Sequence, residues 1–201
     1  MELVEVYDKQ MFALVMENLH AEYGDKQYNK ERMEKEYNEL VEGSLVLTVL
    51  YDGGKDVGHI SYHKKNEGDI AASVLSVFIN EAYRGKGYGK IMLKMFEEYV
   101  KKLGLNQIIL GARRGREGFY YACGFSGEGL LQADYDKMEK AELLEVLTKN
   151  GIIPSSYVFR NNEIHQFYFS AKYLLEDNSL YSKFDELGDK LNLVVVFKKE
   201  F

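Results

Sequence analysis

The residues with the clearest capacity for chemistry lie in the run Asn80-Glu81-Ala82-Tyr83-Arg84-Gly85-Lys86-Gly87-Tyr88-Gly89-Lys90. Its three glycines at alternate positions let the main chain approach a ligand closely, because no Cβ stands over the amide groups. Amides that open a helix also meet the positive end of its dipole, and Arg84, Lys86 and Lys90 add cationic side chains beside them. Phosphate or pyrophosphate is the natural guest of such a turn. Two familiar phosphate loops do not fit the letters. No register gives Gly, four residues and Gly-Lys-Ser/Thr, and a G-x-G-x-x-G fingerprint on Gly85 and Gly87 would need glycine where Lys90 stands. What fits is R-x-x-G-x-G, carried by Arg84, Gly87 and Gly89.

The flanking segments predict how that turn is held. Val74 to Ile79 is apolar and β-branched, so it reads as a strand. Ile91, Met92, Met95, Tyr99 and Leu103 recur at helical spacing until Gly104 supplies a stop. A strand, a glycine turn and a helix in this order, with the letters E-A-Y-R-G-K-G-Y-G, resemble the acetyl-CoA pyrophosphate loop of the GNAT superfamily of N-acetyltransferases. Further on, Tyr120-x-x-x-Gly124-Phe125 is similar to the second motif of that family, a short helix ended by Gly-Phe at the start of the next strand.

The resemblance implies a set of roles. The loop from Arg84 through Gly85, Lys86, Gly87, Tyr88 and Gly89 to Lys90 would bind acetyl-CoA. Backbone groups near Phe78 and Ile79 would bond the pantetheine arm and polarise the thioester oxygen by preorganised donors. Tyr120 stands where the family has the acid that protonates the coenzyme thiolate; the plainer reading is an aromatic residue packed in a helix face. Arg113 and Arg116 replace the Asn and Ala often found there, and can instead meet the anion of another acyl donor. The base has several candidates: Glu67 and Asp69 ahead of the donor strand, Glu81 in the loop approach, or a water relay. His59 and His63, four apart on a predicted strand, lack a third ligand and read as polar face residues, so no metal is expected. His20 and His165 are isolated, and Cys123 reads as a small core residue.

In chain order, Leu3 to Tyr7 predicts a short strand, and Asp8 caps a helix from about Lys9 to Tyr23 with Phe12, Val15, Met16 and Leu19 on one face. A second helix, from about Asn29 to Val41, is mostly charged. It is either a solvated helix or, under the resemblance, part of the acceptor wall, with Tyr23, Tyr28 and Tyr37 reaching substrate. Leu45 to Tyr51 and Val57 to His63 form a hairpin about Asp52-Gly53-Gly54-Lys55-Asp56; a strand from Ile70 to Ile79 follows, and Gln107 to Gly111 is a buried strand. After Ser126, Asp136-Lys137-Met138-Glu139 has the form of a capping box, Asn161-Asn162 marks a hairpin turn, and Leu180, Phe184, Leu187 and Leu191 align on a helix before the apolar run Leu193 to Phe197. With the strand around Leu130 the order is βαββαβ, the ferredoxin-like order.

The expected fold is therefore α+β with a mixed sheet: a GNAT-like core over residues 1–132 and a small α+β lobe over 133–201, or else one extended sheet with the last strand inserted in the core. A net charge of −6, 46% hydrophobic residues and one cysteine argue for a globular protein of a reducing compartment, not a nucleic-acid binder or a disulfide scaffold. No run predicts a membrane span and the acidic start is not a signal peptide, so a cytoplasmic protein is expected. The function expected is acetyl transfer from acetyl-CoA to a primary amine of a small molecule or peptide, with the C-terminal lobe shaping the acceptor pocket or a homodimer contact. The alternative is a weakly catalytic acyl-CoA-binding or sensory module whose lobe takes a ligand or another subunit.

Overall fold

The computed structural model describes residues 1–26, 28–63 and 70–201. Its architecture is α+β, and contacts divide the chain into two compact units, Met1–Ile109 with Glu200–Phe201, and Leu110–Lys199.

In the first unit, β1 (Glu2–Glu5), β2 (Leu45–Asp52), β3 (Lys55–His63) and β4 (Ala71–Ile79) pair as antiparallel neighbours in that order, and β5 (Gln107–Gly111) follows β4. Helix α1 (Lys9–Tyr23) starts where expected, because Asp8 Oδ1 accepts from the N–H groups of Gln10 and Met11 at 2.9 Å. Helix α2 (Lys30–Glu42) is capped by Asn29 and ends at Gly43; of its residues only Glu36 is buried, while Met33, Tyr37 and Leu40 are partly buried against the core. Phe12, Val15, Met16 and Leu19 of α1 close over Leu47 and Val49 of β2 and Phe78 of β4 in one core layer.

Helix α3 (Tyr88–Lys102) buries Met92, Leu93, Phe96 and Val100. That face differs from the expected one. Ile91, Met95 and Tyr99 are only partly covered and Leu103 is 53% exposed, since the buried arc centres on Phe96, whose ring meets Tyr62 at 5.3 Å. Tyr99 sits at the edge of the arc and its hydroxyl donates to Glu5 Oε2 at 2.7 Å. The chain leaves this unit at Ile109 and returns at Glu200, where Gln107 Nε2 donates to Glu200 Oε1 at 3.0 Å and the Phe201 N–H to the Asn106 carbonyl at 3.1 Å.

In the second unit, α4 (Glu117–Ala122) leads into β6 (Ser126–Asp134), α5 (Lys140–Lys149), the hairpin β7 (Ser156–Arg160) and β8 (Ile164–Ser170), two short helices α6 (Lys172–Glu176) and α7 (Ser179–Asp185), and β9 (Asn192–Glu200). The strand order is β9-β6-β8-β7, each pair antiparallel. The hairpin turn holds Asn161 and Asn162 at φ of 52° and 58°, which asparagine tolerates. Two expectations are corrected. The capping box is formed by Glu139 and Glu142, one turn later than Asp136 and Glu139, because Asp134 and the turn after it already engage Lys137 and Met138. The helix drawn through Leu180 to Leu191 stops at Asp185, and Gly188 at φ 65° begins a separate 3-10 turn.

Candidate active site

The glycine loop is built from the end of β4. Asn80 donates from its main chain to the Val57 carbonyl at 2.9 Å and from its side chain to the Asp56 carbonyl at 3.0 Å, and a 3-10 turn over Glu81–Tyr83 follows. Gly87 lies at φ 85°, in the left-handed region, and its carbonyl accepts from both Lys90 and Ile91 at 3.1 and 3.2 Å. The N–H groups of Lys86, Gly87, Tyr88 and Gly89 make no hydrogen bond among the described residues. These four unengaged amides at the head of a fifteen-residue helix are donors that could hold an anion.

The side chains of the loop mostly splint it. Arg84 Nε donates to the Ile79 carbonyl at 2.9 Å, its Nη2 pairs with Glu22 Oε2 at 2.9 Å, and Glu22 holds the guanidinium pKa above its ordinary value. Lys86 Nζ donates to the Ala82 carbonyl at 2.7 Å. The Tyr88 hydroxyl donates to Asp52 Oδ2 at 2.7 Å, with its ring edge-on to Tyr83 at 5.5 Å. Lys90 is exposed at the start of α3. The main chain, more than the cationic side chains, is thus the part left for a ligand. The partners Glu22 and Asp52 lie 62 and 36 positions from Arg84 and Tyr88, and no local pattern marks them in the sequence.

Phe78, one residue before the end of β4, is buried with its ring against His59 at 5.2 Å and Tyr23 at 6.1 Å. Ile79 is half-buried and its carbonyl is already taken by Arg84. Glu81 is exposed; Glu67 and Asp69 lie outside the described residues. The histidine reading is corrected at His59, which is 1% exposed instead of lying on a polar face: burial lowers its pKa to about 3, so it is a neutral ring at ordinary pH. Its Nε2, with Asp56 Oδ1 and Asn80 Oδ1, is buried without a hydrogen-bond partner among the described residues. His63 lies 3.4 Å from Glu39 and His20 2.8 Å from Asp25. Among the described residues no three His, Cys, Asp or Glu side chains converge as a metal site.

In the second unit, Tyr120 on α4 is 8% exposed and its ring packs against Phe197 at 5.1 Å and Phe125 at 5.9 Å. Neighbouring Tyr121 reaches the Gly127 carbonyl at 3.4 Å. Glu117, which sequence reasoning passed over, is buried and accepts from the Tyr181 hydroxyl and the Gly115 N–H. Arg114 forms a two-pronged pair with Asp185 at 2.8 and 2.9 Å and stands 4.4 Å over the Tyr181 ring. Cys123 is half-buried, its carbonyl accepting from Lys199 Nζ at 3.0 Å.

Within the first unit, α1 and α2 enclose an open cavity of about 660 Å³. Phe12, Tyr28, Met33 and Tyr37 supply its apolar wall, and Lys9 and Glu17 are among the charged residues on it. Tyr28 stacks on Tyr23 at 5.8 Å, and Tyr23 meets Phe78, so the cavity is two ring contacts from the strand that feeds the glycine loop. Two of the three tyrosines named as acceptor candidates, Tyr28 and Tyr37, line it; Tyr23 is the link between it and β4.

The model of the acetyltransferase (GNAT) family matches residues 10–125, and the chain belongs to that family. No curated protein matches the sequence. Solved structures with a similar fold include Tetrahymena GCN5, at 12% identity and a TM-score of 0.53 over 84% of this chain and 96% of that one. A chimera of Vibrio cholerae spermidine N-acetyltransferase SpeG with hSSAT gives 15% and 0.51 over 87% and 99%. A Clostridium acetobutylicum protein described as a predicted acetyltransferase, solved with acetyl-CoA, gives 15% and 0.50 over 62% and 88%. The α+β fold expected from the sequence is the fold of these proteins. No described helix is long and apolar enough to cross a membrane.

Proposed function

We propose that the protein is an N-acetyltransferase that moves an acetyl group from acetyl-CoA to a primary amine of a small molecule or peptide by direct attack. The observation that carries this reading is the set of unengaged amides from Lys86 to Gly89, placed at the head of α3 where the family binds its donor. Those four N–H groups and the helix dipole fit a pyrophosphate, and Gly87 and Gly89 leave it room to lie against the main chain. Bound there, acetyl-CoA supplies an activated acyl carbon. The amine nitrogen forms a bond to that carbon, the carbon–sulfur bond breaks, the nitrogen gives up a proton and the sulfur gains one. Tyr120 supplies the proton to sulfur in this scheme, and Glu67, Asp69 or a water chain receives the one from nitrogen. Main-chain groups near Phe78 steady the thioester oxygen as charge develops on it.

Titration of the purified protein with acetyl-CoA, repeated on Gly89→Glu, tests the donor site. The parent is expected to bind at micromolar concentration and the variant not at all, because a carboxylate occupies the anion position; equal binding by both removes the loop from the site. Tyr120→Phe is expected to lower kcat by about 10²-fold or more with acetyl-CoA affinity unchanged, measured by thiol release in an amine screen. Binding without transfer to any amine would favour an acyl-CoA-sensing role.

A further inference from the structure

The cavity between α1 and α2 carries its charges in order along its length. On α1, Lys9, Ala13, Glu17 and His20 follow one another at helical spacing down one wall, and Lys9 stands about 12 Å from Glu17 along the helix axis. At the Lys9 end its ammonium lies 5.5 Å over the Tyr37 ring, which packs on Phe12 at 5.3 Å. At the other end lie Glu17, Asp25 and His20. Most of these charges are already matched: Asp25 pairs with His20 at 2.8 Å and Glu34 with Lys30 at 3.7 Å. Glu17 has no ion-pair partner among the described residues, and it is the lining carboxylate left to meet a cation from outside. The acidic end is the one nearer the last turn of α1. Glu22, in the last turns of α1, holds Arg84 of the glycine loop, and Tyr28 reaches Phe78 through Tyr23.

Resting on the acetyl-transfer reading above, we propose that the acceptor is an amphipathic monoamine. Its one ammonium is drawn to Glu17 at the end toward β4, its apolar or aromatic body lies between Phe12, Met33 and Tyr37, and its far end, neutral or anionic, meets Lys9. The cavity has the size of a drug-like ligand and the ring walls such a body needs. A polyamine fits it badly. With one ammonium at Glu17, a linear polyamine lays a second near Lys9, where it meets a like charge, and its polar chain runs past Phe12 and Tyr37 with no free carboxylate among the described lining residues to answer it.

The test compares 2-phenylethylamine, 4-(aminomethyl)benzoate and spermidine as acceptors for the full chain, by thiol release. The parent is expected to use the two monoamines with kcat/KM at least tenfold above spermidine. Glu17→Gln should raise KM for 2-phenylethylamine about tenfold with the KM for acetyl-CoA unmoved. Lys9→Glu, at the first position of α1 where an acid suits the helix, should shift the preference toward spermidine by tenfold or more. A parent that prefers spermidine, or a Lys9→Glu protein with the parent's ratio, overturns the proposal and leaves the acetyl-transfer reading standing. Absence of acetyl-CoA binding would overturn that reading instead. Titration of the protein with 2-phenylethylamine alone then decides for the cavity: binding lost in Glu17→Gln supports it, and no binding, or binding indifferent to Glu17, rejects it.

Discussion

His59 is held flat on Phe78 inside the first core layer, and its imidazole nitrogen Nε2 has no partner among the described residues. Its pKa, lowered to about 3 by burial from an ordinary 6.5, makes stability depend on acid. Between those two values the unfolded chain binds a proton that the folded one refuses, so stability is lost as pH falls below about 6.5. One proton corresponds to about 1.4 kcal/mol per pH unit, or roughly 2 kcal/mol between pH 7 and pH 5. His59→Phe should flatten that limb: urea midpoints at pH 7 and pH 5 should lie closer together in the variant than in the parent, and an unchanged gap would place the acid sensitivity elsewhere. The sequence showed two histidines on one predicted strand and no more. What separates them is depth, since His59 lies opposite Phe78 while His63, nearer the strand end opposite Ser73, stays within reach of Glu39 on α2. The loop glycines were legible because their alternate spacing is itself a local pattern. The partners that anchor Arg84 and Tyr88 were not, because a carboxylate 36 or 62 residues away leaves no trace in local pattern.

Strand β6 makes room for rings by omitting side chains. Gly127 and Gly129 lie opposite Phe197 on β9 and Phe169 on β8, and each ring covers the glycine it faces. A Cβ at Gly129 would overlap the Phe169 ring, which is fully buried and cannot swing away. Gly129→Ala should therefore cost about 2 kcal/mol through overpacking, read as a lower urea midpoint. Gly151→Ala, a positive-φ position with open space around it, is the contrasting case and should cost about 1 kcal/mol through backbone strain alone. Elements with strong local signals were readable in advance. Asp8 and Asn29 named the starts of α1 and α2, and Asn161-Asn162 named the hairpin. The failures have local causes too. The apolar spacing from Leu180 to Leu191 is helical, yet Gly188 breaks it; and α3 rolls toward Phe96 because its sheet-side neighbours include the Tyr62 ring.

At the scale of the whole molecule, the two units are divided by contacts at Ile109, and the first is completed by residues from the far end of the chain. Gln107 is 8% exposed, and its amide depends on Glu200; Phe201 lies 4.7 Å under the Lys101 ammonium. Removing Glu200 and Phe201 leaves a largely buried amide without its acceptor, a loss of about 1–3 kcal/mol. Amide exchange should quicken around Asn106 and Gln107 in the shortened protein, and unchanged protection there would mean the two residues hold nothing. This dependence could not be read from residues 192–200, which announce a strand and not its partner. It also sets an order on synthesis. A nascent chain that has emerged through Ile109 has the glycine loop, α1 and α2 in hand, yet must wait for some ninety further residues before the last contacts of that unit can form. At about 5–20 residues per second, the wait on the ribosome is roughly 5–20 s, during which Asn106 and Gln107 of a partly made protein lack the partners Phe201 and Glu200 and stand open to chaperones and to other nascent chains.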